Sequence, residues 1–142
     1  MRVRATVLLI RHHAVLLVRE RGGPWFLPGG EVGHGELPMG AAIRELHEET
    51  GAEASAAAFL WQQASAHHMH HVFRVAIPAE ALPRANYRAG IDEVRWVDVS
   101  QLGNMPVTPG TRAILSRAAG GNSAVRSNWR DAGAGPGASA GF

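Results

Sequence analysis

Between Pro38 and Gly51 the periodicity admits little besides an amphipathic helix, and that helix is loaded with carboxylates. Proline at a first turn is a helix start, and glycine is a natural stop. Met39, Ala42, Ile43, Leu46 and Thr50 recur at the i, i+3, i+4, i+7 spacing of a buried stripe. With Glu45 at zero and 100° per residue, Glu48 falls at about 300° and Glu49 at about 40°. Three acids therefore share one arc beside the apolar stripe. Six of the chain's 12 acidic residues (Glu31, Glu36, Glu45, Glu48, Glu49 and Glu53) lie in this neighbourhood.

A solvated acidic face explains the pattern poorly. Like charges at i, i+3 and i+4 cost roughly 0.2–0.5 kcal/mol a pair on an isolated helix. Only Arg44 is at hand to relieve them, and Glu48 and Glu49 sit at the helix end whose dipole disfavours negative charge. The arrangement calls for a cation. Hard oxygen donors favour Mg²⁺ or Mn²⁺ over zinc, and the chain has no cysteine to offer a softer site.

The rest of the chain supplies strands. Val3 to Ile10 and Ala14 to Val18 read as two strands joined by a turn at His12-His13, and Trp25-Phe26-Leu27 as a short apolar piece. Gly29, Gly30, Gly33 and Gly35 read as an irregular loop. Ala52 to Gln63, Met69 to Ile77 and Val94 to Val99 read as further strands. Pro78 to Gly90 reads as a loop with room for a helical turn, and Thr111 to Ala119 as a short helix with Ile114 and Leu115 on its apolar stripe. Residues 120–142 hold six Gly and five Ala with few apolar anchors, so a flexible tail is expected after a single domain of residues 1–119. The apolar run Ala5 to Ile10 is too short for a secretory signal, and no stretch approaches the ~20 apolar residues of a membrane helix. A cytoplasmic protein with no membrane partner is the expectation. All 14 basic residues are Arg, yet the formal net charge is only +2, so nucleic acid is not an expected partner.

Taken together, Gly30, five residues, Glu36, seven residues and then Arg44-Glu45-Leu46-His47-Glu48-Glu49-Thr50-Gly51-Ala52 resemble the Nudix box, G-x5-E-x7-R-E-U-x-E-E-x-G-U with U a bulky aliphatic residue. Only Ala52 is small for its position. The resemblance implies a single Nudix-type α/β/α sandwich with a mixed β-sheet. It also implies a Mg²⁺-dependent hydrolase cleaving the diphosphate linkage of a nucleoside diphosphate joined to another group. Carried over by position, Glu45, Glu48 and Glu49 are metal ligands and the catalytic carboxylates, with the Gly29 carbonyl a further ligand. Glu36 and Arg44 become a brace between the glycine segment and the helix, and Gly30 a point of close backbone approach. The resemblance leaves a homodimer open.

Outside the box, Asp92 and Glu93 are candidates for an extra metal or substrate contact, against a simple turn before a strand. On a strand, His67, Met69, His71 and Phe73 would face one way and His68, His70 and Val72 the other. His67 and His70 are candidates for lining the substrate cleft. Arg4, Arg11, Arg19, Arg21, Arg74 and Arg95 are candidate phosphate contacts, and Trp25, Phe26 and Trp61 candidate stacking surfaces. The proline, tyrosine and extended-array signatures that label some substrate subgroups of the family are absent downstream of the box. A nucleoside triphosphate or modified nucleotide is favoured over a nucleotide sugar or dinucleoside polyphosphate, because the chain is short. The rivals are a catalytically silent nucleotide-binding module and an RNA 5′-end pyrophosphohydrolase.

Overall fold

In the computed structural model, which describes residues 1–120, one apolar run serves two sheets. Strand β1 (Arg2–Leu8) enters the first sheet, whereas β2 (Ile10–Arg11) turns through His12 and His13 into β3 (Ala14–Arg19) of the second. Both histidines adopt positive φ, 53° and 62°, as a tight two-residue hairpin demands. The expected strand–turn–strand pair forms at Ile10–Arg11, while the earlier part of the run, Arg2–Leu8, pairs in the other sheet.

The first sheet has the order β5-β1-β7-β6, with β5 (Gly29–Glu31) antiparallel and β7 (His68–Ala76) parallel to β1, and β6 (Ala56–Ala64) antiparallel to β7. In the second, β3 pairs with β2, β4 (Trp25–Phe26) and β8 (Glu93–Asp98), all antiparallel. Strand β6 begins four residues later than the apolar run suggested. Short 3₁₀ turns occupy Tyr87–Ala89, inside the expected loop, and Val99–Asn104, which had no sequence signal.

Period-two alternation along β1 divides the core. Ala5, Val7 and Leu9 pack with Ala41, Ala42 and Leu46 of helix α1 (Pro38–Thr50), while Leu8 and Ile10 pack with Ile114 and Leu115 of helix α2 (Pro109–Gly120). The result is the α/β/α sandwich with mixed pairing. Full burial of a side chain such as Leu46 contributes roughly 1.5–3 kcal/mol. The tail reading falls outside the described residues, apart from Gly120, which closes α2.

Two local expectations are corrected. The segment Gly29–Glu31, expected as loop, is strand β5, antiparallel to β1 with Gly29 opposite Thr6 and Gly30 opposite Ala5. Glycine here permits close backbone approach rather than irregularity. The helix also rotates its buried stripe: Ala42, Leu46 and Thr50 are buried as expected, but Met39 and Ile43 are each 37% exposed and Ala41 and Glu49 are buried in their stead. On a 100° wheel that face centres near Glu49. The helix ends as expected, with Gly51 at φ 74° donating its N–H to the His47 carbonyl. No helix among the described residues is long and apolar enough to cross a membrane.

Candidate functional site

Arg44 is the hub on which the acidic helix is organised. Its Nε donates to Glu36 Oε2 at 2.7 Å and its Nη2 to Glu36 Oε1 at 2.9 Å, a two-pronged pair that joins α1 to the segment preceding it. The Gly33 N–H also donates to Glu36 Oε1, at 2.8 Å. Nη1 of the same guanidinium reaches Glu45 at 3.0 Å and both oxygens of Glu48 at 3.2 Å. The hydrogen bonds from Arg44 and Gly33 hold the Glu36 carboxyl down at about 2, and Glu36 in turn holds the Arg44 guanidinium above its ordinary value. A depressed carboxylate contributes stability above its unfolded value near 4.5 and loses it as pH falls towards 2. Carbon-13 titration of Glu36 is therefore expected to give a midpoint near pH 2 in the native protein. In Arg44→Leu the midpoint should rise towards the ordinary carboxylate range, short of it by the pull of the Gly33 N–H, and an unmoved midpoint would show that Arg44 is not its main cause.

Glu49 is placed differently. It is 7% exposed, and its Oε1 accepts the Gly29 N–H at 2.9 Å, across from β5. Burial pushes its carboxyl up to about 7, against the pull of the Gly29 N–H and of Arg4, while Glu45 adds to the rise. Glu45 lies against β5 as well: its carboxyl fills the space that a Cβ on Gly30 would take, so a larger residue there would push the carboxyl aside. Glu48 is 48% exposed and faces Arg44. Among the described residues no three Asp, Glu or His side chains already surround one point at coordinating distance. The donor chemistry nonetheless suits a hard divalent cation: Glu49 and Glu45 carry carboxylates to the adjacent glycines Gly29 and Gly30, and among the described residues the buried Glu49 has no ion-pair partner.

On the α2 side of the sheet lies a cavity of about 520 Å³. Arg4 spans the two regions: it lines the cavity, its charge acts on both Glu49 and Glu45, its Nη2 donates to the Leu27 carbonyl at 2.9 Å, and its guanidinium sits 5.6 Å from the Phe26 ring centre. His67, His68 and His70 form part of the cavity wall. His70 bonds through Nδ1 to Thr6 Oγ1 at 2.8 Å and through Nε2 to Ser65 Oγ at 3.0 Å. Burial, with help from Arg4 and His68, pushes it down to about 4, so its ring is neutral at neutral pH. His71 points to the other face, against Phe59, in keeping with strand alternation.

Other sequence candidates lie elsewhere. Glu93 is ion-paired with Arg19 across β3 and β8, and the Asp92 N–H donates to the Arg19 carbonyl. Arg74 is buried and donates to the Ile10 and Val75 carbonyls, while Arg11 caps the Pro78 and Ala81 carbonyls over the Trp96 ring. Trp25 and Trp61 belong to the core, so Phe26 is the aromatic left facing the cavity. Thr6, Ser65, Glu20 and Gly110 line the cavity without having been singled out. For Thr6 a signal existed, a hydroxyl set in the opposite phase to Ala5 and Val7; for the others there was none.

The sequence model of the NUDIX domain matches residues 1–118. A Bacillus subtilis protein named "Putative 8-oxo-dGTP diphosphatase" is 33% identical over 100 residues, 68% of this chain and 65% of that protein. A Mycobacterium tuberculosis protein named "Putative 8-oxo-dGTP diphosphatase 3" is 31% identical over 117 residues, 78% of this chain and 52% of that protein. The chain thus spans between half and two thirds of the length of these relatives. Among solved structures, a protein from Chromobacterium violaceum described as a "putative nudix hydrolase family member" superposes with a TM-score of 0.75 at 26% identity, covering 92% of this chain and 86% of the other.

Proposed function

Since the chain belongs to the NUDIX domain family, we propose that it is a Mg²⁺-dependent pyrophosphohydrolase of nucleoside triphosphates or their modified forms. The carrying observation is the juxtaposition through Arg4 of a carboxylate cluster on α1 and β5 with a cavity of about 520 Å³. A nucleotide has the same two-part chemistry, a polyanion attached to a flat heterocycle. The names of the two relatives support a nucleoside triphosphate in particular.

In this reading Glu45, Glu48 and Glu49, with the Gly29 carbonyl, hold Mg²⁺ or Mn²⁺. Bound there, the ions would neutralise the diphosphate and lower the barrier to water attack at phosphorus. The protein's own contribution is positioning. Glu36 and Arg44 keep the start of α1 fixed to the preceding segment, so that Glu45 and Glu49 meet β5 in one register. Gly30 gives Glu45 room, and the Gly29 N–H orients the Glu49 carboxylate. Arg4, always charged, receives phosphate oxygens between the two regions, while Phe26 offers a face on which a base stacks. Residues 1–119 are the unit to which this activity is assigned.

The test is a panel of nucleoside triphosphates, nucleotide sugars and dinucleoside polyphosphates incubated with Mg²⁺, with products separated by chromatography. A triphosphate should yield the nucleoside monophosphate and pyrophosphate. Glu48→Gln should lower turnover on the order of a hundredfold or more, as loss of a metal-holding carboxylate does. Wild-type turnover in both Glu48→Gln and Glu49→Gln would sink the reading. Binding without product release would instead identify a silent module.

A further inference from the structure

Several polar side chains of the cavity wall are bonded to one another: Thr6 to His70, His70 to Ser65, and Thr108 to Thr111, whose hydroxyl also accepts the Leu27 N–H. Glu20 is not. It lines the same cavity from just beyond the end of β3, where it is exposed, yet among the described residues its carboxylate has neither a hydrogen bond nor an ion pair. Its backbone is fixed by a tight turn in which the Gly23 N–H donates to the Glu20 carbonyl at 3.0 Å. Gly22 takes φ 73° in the third place of that turn, where a positive φ calls for glycine. The Glu20 charge acts on both Arg4 and Glu49. Those two groups mark the junction between the carboxylate cluster and the cavity, so Glu20 stands near that junction. With a diphosphate held at the cluster and a base against Phe26, the part of a nucleotide that crosses the junction is the sugar. A carboxylate there repels phosphate oxygens and welcomes hydroxyl donors.

We propose that Glu20 reads the sugar: its carboxylate accepts hydrogen bonds from the 2′- and 3′-hydroxyls of a bound nucleotide, so that the site favours nucleotides by the number of sugar hydroxyls they carry. This rests on the nucleotide reading above. It makes Glu20 a specificity-determining residue that touches substrate away from the reacting phosphorus. The two neighbouring hydroxyls of ribose match the two oxygens of one carboxylate, the chemistry by which an acidic side chain holds ribose in dinucleotide sites. A 2′-deoxyribose offers one such donor and a 2′,3′-dideoxyribose none. Arg4, at the same junction, attracts phosphate, so the two charges sort the two parts of the ligand. A carboxylate left without its hydroxyl partner inside a filled cleft loses water as well, which sharpens the discrimination.

Adenosine triphosphate, its 2′-deoxy form and its 2′,3′-dideoxy form test this in the full chain with Mg²⁺, and the guanosine series run beside them removes the base from the comparison. In whichever series turns over, wild-type kcat/KM should fall about tenfold for each hydroxyl lost, the effect of one hydrogen bond to a charged group. Glu20→Ala should flatten the series to within about threefold, and Glu20→Gln, which keeps an uncharged acceptor, should fall between. Because the side chain is exposed and unbonded, both variants should melt with the wild type. A level series in the wild type, or one as steep in Glu20→Ala, would overturn the proposal. A raised Mg²⁺ requirement in Glu20→Ala with an unchanged series would place Glu20 on the metal and overturn it too. If no triphosphate is hydrolysed, the pyrophosphohydrolase reading fails by itself. Equilibrium binding of the matching monophosphates then decides the sugar preference: affinity that falls with each hydroxyl in the wild type and not in Glu20→Ala upholds it, and equal or absent binding overturns it.

Discussion

Glu49→Gln is expected to be more stable than wild type at pH 8 in the presence of a chelator and, on the proposed function, to turn over nucleotide on the order of a thousandfold more slowly with Mg²⁺. Both effects come from one buried carboxylate. In the unfolded chain this group releases its proton near 4.5; in the fold it does so at about 7. Between those values the native state binds more protons than the unfolded one, so stability falls as pH rises and the loss is complete above pH 7. The shift corresponds to about 3 kcal/mol at 1.36 kcal/mol per unit. Glutamine keeps an oxygen to accept the Gly29 N–H and carries no charge to desolvate, so the variant should lack this pH dependence. Urea unfolding in chelator at pH 4.5 and pH 8 reads the difference directly. Adding Mg²⁺ should raise the stability of the wild type more than that of the variant, which keeps Glu45 and Glu48 but lacks the ionised Glu49 carboxylate. Equal stability of the two proteins at pH 8 would mean that Glu49 is not held as an uncompensated charge. Undiminished turnover would remove it from the metal site.

The same residue shows what the sequence does and does not disclose. The helix from Pro38 to Gly51, its carboxylates and the spacing back to Glu36 and Gly30 were legible because they are local: a period, a start, a stop and charges that repel one another. Which side of the helix goes inside was legible in part: Ala42, Leu46 and Thr50 are buried as the periodicity placed them, and Met39 and Ile43 are not. The apolar count favoured Met39 and Ile43, yet the helix rolls towards Glu49 because the neighbouring strand is glycine, and small Ala41 and Ala42 let the helix approach it. Strand β5 was hidden for the same reason, since Gly29-Gly30 carries the composition of a loop and is paired only because β1 lies beside it. The cavity was less legible still. Thr6, Ser65 and Gly110 come from β1, the β6–β7 turn and α2, and nothing within any one segment marks them as neighbours of His70. Its alternation with His71 along β7 was readable; its burial between two hydroxyls is a property of the assembled sheet.

Two glycine-to-alanine changes, eleven residues apart, should move stability in opposite directions. Gly29 has φ 150°, a region alanine rarely enters, and a Cβ built on it would stand 2.2 Å from the Ala5 carbonyl oxygen and 3.1 Å from Thr6 Cα. Both neighbours are backbone of β1, so no side chain can swing aside. Relief requires β5 to slide or detach, and the strained φ together with overpacking costs about 3 kcal/mol or more. For a chain of this size that is a fall in Tm of roughly 10 °C. Gly40 lies in α1 with nothing within 4 Å of an added Cβ, so alanine there should gain up to about 1 kcal/mol from its lower backbone entropy. Thermal melts of Gly29→Ala and Gly40→Ala against wild type separate the two. The activity of Gly29→Ala should fall further than its fraction folded, because detaching β5 also withdraws the N–H that orients Glu49. If Gly29→Ala melts with the wild type, the close pairing of β5 with β1 is not what holds that N–H against the carboxylate.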